Sequence, residues 1–144
     1  MATVYVNIGS NMGERKKWIS KALDCIGEIF GYYCVSGFVE SEPWGFDSTN
    51  HFINIGAAFR SDMHPELILM KLQEIERTLS GVGHRDEAGN YKDREVDIDI
   101  MAIDQTRYRS ESLRIPHPHL REREFFLMPL MELCPHWQYP EANG

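Results

Sequence analysis

The segment Asp93–Met101 constrains the fold of this chain most, because its acidic and apolar side chains alternate. Val96 and Ile98 alternate with Asp97 and Asp99, and a period of two is typical of a β-strand with one apolar and one polar face. The two aspartates are therefore predicted on one side of a sheet. Residues two apart on a strand are separated by about 6.5–7 Å, so both carboxylates can bind hard cations, and Mg2+ is the expected ion.

Two interpretations of this strand are open from the pattern alone. An amphipathic edge strand with a solvated acidic face shows the same alternation, and a bare Asp-x-Asp triplet favours that interpretation. Arg94, shortly before the two aspartates, favours a ligand site instead. A guanidinium beside a carboxylate-bound metal is suited to a polyphosphate.

Composition limits the partners of the chain. With 144 residues, 42% hydrophobic and 26% charged, the chain is predicted to form a single globular domain over residues 1–144. Its formal net charge of −7 argues against nucleic acid as the main partner, since that contact depends on clustered Lys and Arg. The N-terminus resembles no signal peptide and no apolar run is long enough for a bilayer. We therefore expect no membrane partner and a cytoplasmic location.

Hydrophobic periodicity predicts the order of the secondary structure. Strand patterns with a period of two and helical patterns with apolar residues three or four apart follow one another along the chain. The predicted elements are strands at Thr3–Ile8, Tyr32–Glu40, Phe52–Phe59 and around Asp97, helices at Glu14–Ile29 and Pro65–Leu79, and a short helix within Arg121–Leu133. The order β-α-β-β-α-β predicts an α+β, ferredoxin-like fold, with helices mainly on one face of an antiparallel sheet and the other face open.

Three further segments receive structural predictions. Gly9-Ser10-Asn11, after the first strand, is sufficiently explained as a tight turn that caps the following helix. Glu76, near the end of the second helix, is predicted to be solvated or in a salt bridge. The segment Ser80–Tyr91 contains three glycines and no apolar period, and is predicted to be a mobile lid beside the phosphate site.

Aromatic residues and one amide indicate a second ligand surface. Trp44 lies in a loop between two strands, and Phe52 and Asn54 share one face of the strand that follows. An amide in an otherwise apolar strand needs partners, so Asn54 is either a structural bridge or a group that contacts the polar edge of a ligand. A bridge is the better interpretation of Asn54 alone. The aromatic neighbours favour a stacking pocket for a flat heterocycle.

Six short motifs occur along the chain in a distinctive order. They are Gly9-Ser10-Asn11, Ser41-Glu42-Pro43-Trp44-Gly45, Phe52-Ile53-Asn54, Ile75-Glu76, Asp93-Arg94-Glu95-Val96-Asp97-Ile98-Asp99-Ile100 and Ile115-Pro116-His117-Pro118. In this order they resemble the 6-hydroxymethyl-7,8-dihydropterin pyrophosphokinase family of folate biosynthesis. The resemblance extends from Thr3 to about Pro140 and implies a ferredoxin-like α+β fold, in agreement with the periodicity.

The resemblance implies transfer of pyrophosphate from ATP to the hydroxymethyl group of 6-hydroxymethyl-7,8-dihydropterin, giving AMP and the pterin diphosphate. Asp97 and Asp99 would hold two Mg2+ ions, and Arg94 would contact the transferred phosphates. The implied nucleotide-binding residues are Gln73, Arg94, Ile100, Arg114, His117 and Arg123. The implied pterin-binding residues are Ser41, Pro43, Trp44, Gly45, Phe52, Asn54 and Phe125.

The lid departs from the family pattern. Members usually carry Gly-Arg-x-Arg starting four residues after the Ile-Glu pair, whereas this chain has Gly81 and Gly83 at the positions of the two arginines. We expect Arg85 to act as the catalytic substitute, because a glycine-rich loop can re-aim one side chain. The alternatives are a catalytically weak paralogue that binds pterin or nucleotide, and a two-metal phosphodiester hydrolase. A monomer is expected, because no long apolar helix face is left after the core is assigned.

Overall fold

The computed structural model describes residues 1–42, 51–80 and 95–140. Its elements are β1 (Ala2–Ser10), α1 (Arg15–Phe30), β2 (Tyr33–Ser41), β3 (Phe52–Ser61), α2 (Pro65–Ser80), β4 (Asp97–Ile103), β5 (Tyr108–Arg109), β6 (Arg114–Ile115) and α3 (Glu124–Leu133). The strands and helices predicted from periodicity are confirmed, apart from their ends. The two-residue strands β5 and β6 were not predicted, because so short a segment shows no period.

The four long strands form one sheet in the order β2-β3-β1-β4. Each pair of neighbours is antiparallel, so β1 and β2 run parallel with β3 between them. This is the split βαβ arrangement of the ferredoxin-like fold, and it confirms the predicted fold class. Strands β5 and β6 form a separate hairpin.

One face of the sheet carries the larger core, which it shares with α1 and α2. Residues from alternate positions of the strands, such as Val6, Ile55 and Ile98, are buried in this cluster. The helices bury residues spaced three or four apart, which are Ile19, Ala22 and Ile26 in α1, and Ile68, Leu72 and Ile75 in α2. Each fully buried large aliphatic side chain contributes about 1.5–3 kcal/mol. This face buries more of them than the opposite face, so it supplies most of the apolar burial.

The opposite face of the sheet is covered by α3, so the expectation of an open second face is wrong. Phe126 and Leu130 of α3 are buried in a second cluster with Tyr5 and Met101 of the sheet. Trp137 belongs to the same cluster and donates its indole N–H to the carbonyl of Asp104 at 2.7 Å. The apolar residues of α3 were visible in the sequence, but their period does not reveal which surface they cover.

Glycine at position 56 permits the close packing of α3 on the sheet. A Cβ atom there would lie 2.7 Å from Pro129 Cβ and 3.1 Å from Leu133 Cδ1. Both neighbours belong to α3, and a proline ring is too rigid to move aside. The helix can therefore rest on β3 only where the strand has no side chain.

Replacement of Gly56 by alanine is expected to lower the free energy of unfolding by about 1–3 kcal/mol, the usual cost of overpacking. Urea unfolding followed by circular dichroism measures the change. Gly37→Ala is the matched control, because a Cβ there would lie 3.6 Å from Glu132 Oε1, an ordinary contact. Equal losses in the two variants would contradict the proposed role of Gly56.

Candidate active site

The polar residues of the sheet are brought together by the register of β1. Gly9 lies opposite Asn54 of β3 and opposite Asp97 of β4. Asn7 lies opposite Gly56 of β3 and Asp99 of β4. Because neighbouring strands are about 4.8 Å apart, these pairings form two rows across the face that α3 covers. The predicted convergence of Asp97 and Asp99 on one face is confirmed by the burial of Val96, Ile98 and Ile100 on the other.

Gly9 makes room for the side chains of Asn54 and Phe52 rather than forming a turn. A Cβ atom at this position would lie 2.9 Å from Asn54 Oδ1 and 3.2 Å from Phe52 Cδ1. Gly9 and Ser10 continue β1, and the N-cap of α1 is Glu14. The prediction of a helix-capping turn at Gly9-Ser10-Asn11 is therefore wrong. A glycine at a strand end suits a turn equally well, so the sequence did not distinguish the two roles.

Asn54 forms the structural bridge that was one of its two predicted roles. Its side chain is 2% exposed, and Nδ2 donates to the carbonyl of Val39 at 3.2 Å and to Ser41 Oγ at 2.8 Å. These bonds use both amide hydrogens. Any further contact with a ligand would therefore be made by Oδ1 as an acceptor.

Two of the predicted pterin-binding aromatics lie on the same side of the sheet as Asn54. Phe52 is 8% exposed and approaches β1 beside Gly9. Phe125 is half-buried in the first turn of α3, where its ring meets that of Phe126 edge-on at 5.1 Å. The carbonyl of Phe125 accepts a hydrogen bond from Asn7 Nδ2 at 2.7 Å. Ser41 joins this group through its bond to Asn54.

His117 lies next to the carboxylates in its neutral form. Burial, followed by the nearby charges of Arg123 and His119, lowers the pKa of His117 to about 3. Its Nδ1 accepts the backbone N–H of His119 at 3.0 Å, so the ring proton is assigned to Nε2. Nε2 lies 4.0 Å from Asp99 Oδ1. The neutral ring thus presents a donor beside Asp99 and forms no ion pair with it near neutral pH.

The remaining predicted nucleotide-binding residues lie on different elements. Arg123 precedes α3, with its guanidinium carbon 4.9 Å from the ring centre of Phe126. Gln73 is exposed on α2, and Arg114 is exposed on β6. The side chain of Ile100 is 4% exposed in the core shared with α1 and α2. It therefore points away from the carboxylates, and any nucleotide contact by Ile100 would have to use its backbone.

Glu76 has a role that its sequence position did not indicate. Its Oε2 accepts the backbone N–H of Ile98 at 2.6 Å, and Ser80 Oγ accepts that of Val96 at 3.2 Å. Strand β4 is the edge of the described sheet, so its outward N–H groups need partners from elsewhere. Glu76 thus binds the backbone between Asp97 and Asp99 and is not simply solvated. Helical periodicity cannot predict a bond between residues so far apart in sequence.

Glu66 ties the β5–β6 hairpin to the first turn of α2. Its carboxylate accepts hydrogen bonds from Tyr108 Oη at 2.8 Å, from Ser112 Oγ at 2.7 Å and from Ser110 Oγ. The bonds from Ser110, Ser112 and Tyr108, in decreasing order, lower the pKa of Glu66. The hairpin carries Arg114 and leads to His117, so this cluster determines where two predicted nucleotide-binding residues lie.

The predicted ligands Pro43, Trp44, Gly45, Arg85 and Arg94 lie outside the described residues. Within the described ranges, no group of three or more His, Cys, Asp or Glu side chains is arranged to hold a metal ion. None of the described helices is long and apolar enough to cross a membrane.

The fold and its polar rows define a ferredoxin-like α+β protein with two carboxylates beside an aromatic and amide surface. The sequence pattern of the 7,8-dihydro-6-hydroxymethylpterin-pyrophosphokinase family matches residues 5–135. The chain belongs to this family.

Individual relatives agree with this assignment. A 2-amino-4-hydroxy-6-hydroxymethyldihydropteridine pyrophosphokinase of Porphyromonas gingivalis is 41% identical over 144 residues, covering 99% of this chain and 97% of the relative. The enzyme of the same name from Aquifex aeolicus is 34% identical over 140 residues, covering 97% of this chain and 85% of the relative.

A solved structure supports the fold. The Plasmodium falciparum HPPK-DHPS structure with pteroate superimposes with a TM-score of 0.74 and 12% sequence identity. The match covers 99% of this chain and 42% of that one. The chain therefore spans less than half the length of this structural relative.

The Glu66 cluster predicts a pH-dependent contribution to stability. Because the pKa of Glu66 is lowered on folding, its contribution is complete above the unfolded value of 4.5 and is lost as the pH falls through the folded value. Glu66→Gln is expected to lower Tm at neutral pH, and the difference from the unmutated protein is expected to shrink as the pH falls below 4.5. Differential scanning fluorimetry across this range measures it. A Tm difference independent of pH would contradict the charged role of Glu66.

Proposed function

We infer that this protein is the pyrophosphokinase of folate biosynthesis that transfers pyrophosphate from ATP to the hydroxymethyl group of 6-hydroxymethyl-7,8-dihydropterin, releasing AMP. Its family membership over residues 5–135 supports this activity and gives the weak-paralogue alternative no support. We propose that residues 1–144 act as one catalytic domain and as a monomer. The phosphodiester hydrolase is disfavoured, because a net charge of −7 repels a polymeric phosphate substrate.

The observation that carries this proposal is the position of the two aspartates between two different surfaces. Asp97 shares its row with Gly9 and Asn54, on the side of the aromatic and amide surface. Asp99 lies 4.0 Å from His117 Nε2, and, besides burial, the charge of Arg123 is close enough to His117 to lower the pKa of that histidine. A reaction that joins a flat heterocycle to a polyphosphate needs this order, with the transferred phosphates of ATP held next to the hydroxymethyl group of the heterocycle.

We propose that the pterin binds over the Asn54 row. Phe52 and Phe125 would stack on its two ring faces, since aromatic pairs favour offset or edge-on contact. Asn54 Oδ1 would accept from the amino edge of the pterin, because Nδ2 is already bonded to Val39 and Ser41. The motif residues Pro43, Trp44 and Gly45 are proposed, from the sequence alone, to complete this pocket next to Ser41.

The nucleotide is proposed to bind along the other side of the carboxylates. His117 would donate from Nε2 to a phosphate oxygen, and its neutral state means that it adds direction rather than charge. Arg123 and Arg94 would supply the positive charge. Gln73, Arg114 and the backbone of Ile100 are proposed to contact the base and ribose, because they lie along α2, the hairpin and the edge of β4.

Asp97 and Asp99 fit Mg2+. This ion is usually held in enzymes by one or two carboxylates together with substrate phosphates and water, rather than by a full set of protein ligands. Two carboxylates on one face of β4, opposite Gly9 and Asn7 of β1, therefore suit Mg2+ bound with ATP. Two ions are proposed, and when bound they would neutralise charge on the transferred phosphates.

The protein groups themselves contribute by positioning the two substrates. Glu76 fixes the backbone between the two aspartates, and Gly9 lets Asn54 and Phe52 lie close to Asp97. The pterin hydroxyl and the β-phosphorus of ATP would be held in line by these fixed surfaces. Such positioning accounts for much of the rate enhancement in phosphoryl-type transfer.

The test is formation of AMP from ATP and Mg2+ with and without 6-hydroxymethyl-7,8-dihydropterin, followed by chromatography. Pterin-dependent AMP is expected, and Asp97→Asn and Asp99→Asn are each expected to lower kcat by at least about 100-fold, the loss of several kcal/mol of transition-state charge stabilisation. Asp62→Asn is the control, because this exposed aspartate pairs with the N-terminus. Formation of ADP, or AMP without pterin, would refute the proposed reaction.

Arg85 is proposed to take the role of the two lid arginines of the family, whose positions hold Gly81 and Gly83 in this chain. Arg85→Ala is expected to lower kcat by about 10–1,000-fold, since one phosphate-contacting arginine acts on charge in the transition state. Fold stability should not change. Arg60→Ala is the control, because Arg60 bonds the carbonyl of Met1 at the far end of β3. Unchanged kcat in Arg85→Ala would show that another group supplies the charge.

A further inference from the structure

Pro129 leaves a carbonyl without its usual helical partner. In an α-helix the carbonyl of each residue accepts the N–H of the residue four positions later. Proline has no N–H, so Pro129, inside α3, cannot donate to the carbonyl of Phe125. That carbonyl instead accepts Asn7 Nδ2 at 2.7 Å. A side chain of the central strand thus replaces a backbone donor of the helix.

Asn7 is placed for this bond by the sheet. Its side chain is 2% exposed, and its register partners are Gly56 on one side and Asp99 on the other. Gly56 is also the position where Pro129 packs against the sheet. The bond from Asn7 to Phe125 and the contact of Pro129 with Gly56 are therefore neighbouring parts of one attachment.

A second attachment holds the other end of α3. The carboxylate of Glu132 accepts the backbone N–H of Gly37 at 3.1 Å and 3.0 Å through its two oxygens. Ser36 Oγ accepts the N–H of Gly56 at 2.8 Å. Packing and hydrogen bonds thus fix the helix at both ends, and Asn7 is the group that acts at the end where Phe125 lies.

We propose that Asn7 is a positioning residue that sets the ring of Phe125 for stacking on the pterin. The inference rests on the proposed function, because it assumes that Phe125 contacts this substrate. Asn7 itself need not touch either substrate. Because Asn7 is also the register partner of Asp99, the same residue of β1 fixes the distance between the aromatic surface and a metal-binding carboxylate.

The chemistry of the attachment allows a specific test. Asn7→Ala removes the donor and leaves the carbonyl of Phe125 unpaired. Pro129→Ala restores the missing N–H at the position that donates to this carbonyl, and it keeps the Cβ atom that packs on Gly56. The double variant Asn7→Ala/Pro129→Ala should therefore regain the placement of Phe125 without any side chain from β1.

The measurement is the affinity for 6-hydroxymethyl-7,8-dihydropterin by fluorescence titration, with Mg2+ and a saturating ATP analogue that carries a methylene group between the α- and β-phosphorus atoms. Asn7→Ala is expected to weaken pterin binding by about tenfold, because the ring of Phe125 is no longer held in the orientation that stacks on the pterin. Affinity for the ATP analogue alone should change less than about twofold, because His117 and Arg123 are not bonded to Asn7.

The double variant decides whether Asn7 acts through Phe125. Recovery of most of the pterin affinity in Asn7→Ala/Pro129→Ala is expected, and a general loss of packing at position 7 would not be repaired in this way. If Asn7→Ala does not fold, Asn7→Leu keeps the side-chain volume and removes the donor. The inference is overturned by unchanged pterin affinity in the single variant, or by a folded double variant that fails to recover.

These outcomes are separate from a failure of the proposed function. If the unmutated protein does not bind the pterin, the proposed function itself is wrong. If it binds the pterin and the Asn7 variants bind equally well, only the positioning role is wrong.

Discussion

The register of β1 between β3 and β4 is the constraint on which the rest of the structure depends. It places Gly9 between Asn54 and Asp97, and Asn7 between Gly56 and Asp99. Because side chains alternate between the two faces, a slip of one residue would turn the carboxylates into the apolar core. Burial of the isoleucines on the α1 and α2 face makes such a slip very costly. The core under α1 and α2 therefore fixes the site, although none of the side chains in that cluster points into it.

One face of the sheet carries most of the apolar core, and the other face carries the candidate site. The face under α1 and α2 is filled mainly with aliphatic residues from β1, β3 and β4. The other face carries a smaller aromatic cluster under α3 and leaves one end to polar residues. Glycines at positions 9 and 56 are needed only on this second face, where a side chain or a helix comes close to the backbone. The same close packing that brings α3 onto the sheet also brings Phe125 to Asn7 of the central strand.

Much of this architecture could be predicted because it follows local periods. The alternation around Asp97 and the helical spacing in α2 predicted both the elements and the shared face of the aspartates. What the sequence did not reveal depends on contacts between distant segments. The bond from Asn7 to Phe125 joins residues 118 positions apart, and that from Glu76 to Ile98 joins residues 22 apart.

The missed features share one physical cause. A polar side chain that hydrogen-bonds to the backbone of another element cannot be distinguished from a solvated residue in the sequence. Glu76 on α2 fits an amphipathic pattern whether it faces water or the edge of β4, and Glu66 fits the acidic first turn of a helix whether or not it binds a hairpin. Only the tertiary structure shows which backbone groups lack partners and which side chains supply them.

The electrostatics of the site depend on which side chains hydrogen-bond to these backbone groups. Glu76 carries its negative charge on the outer edge of β4, beside two aspartates that are themselves partly exposed. Burial keeps His117 neutral on the inner side, so the imidazole does not neutralise Asp99. In the proposed function, a triphosphate bound with Mg2+ would bring cations to this acidic edge. Those cations would offset the mutual repulsion of the carboxylates, so in the proposed function the metal-bound nucleotide complements the charge of this edge as well as reacting.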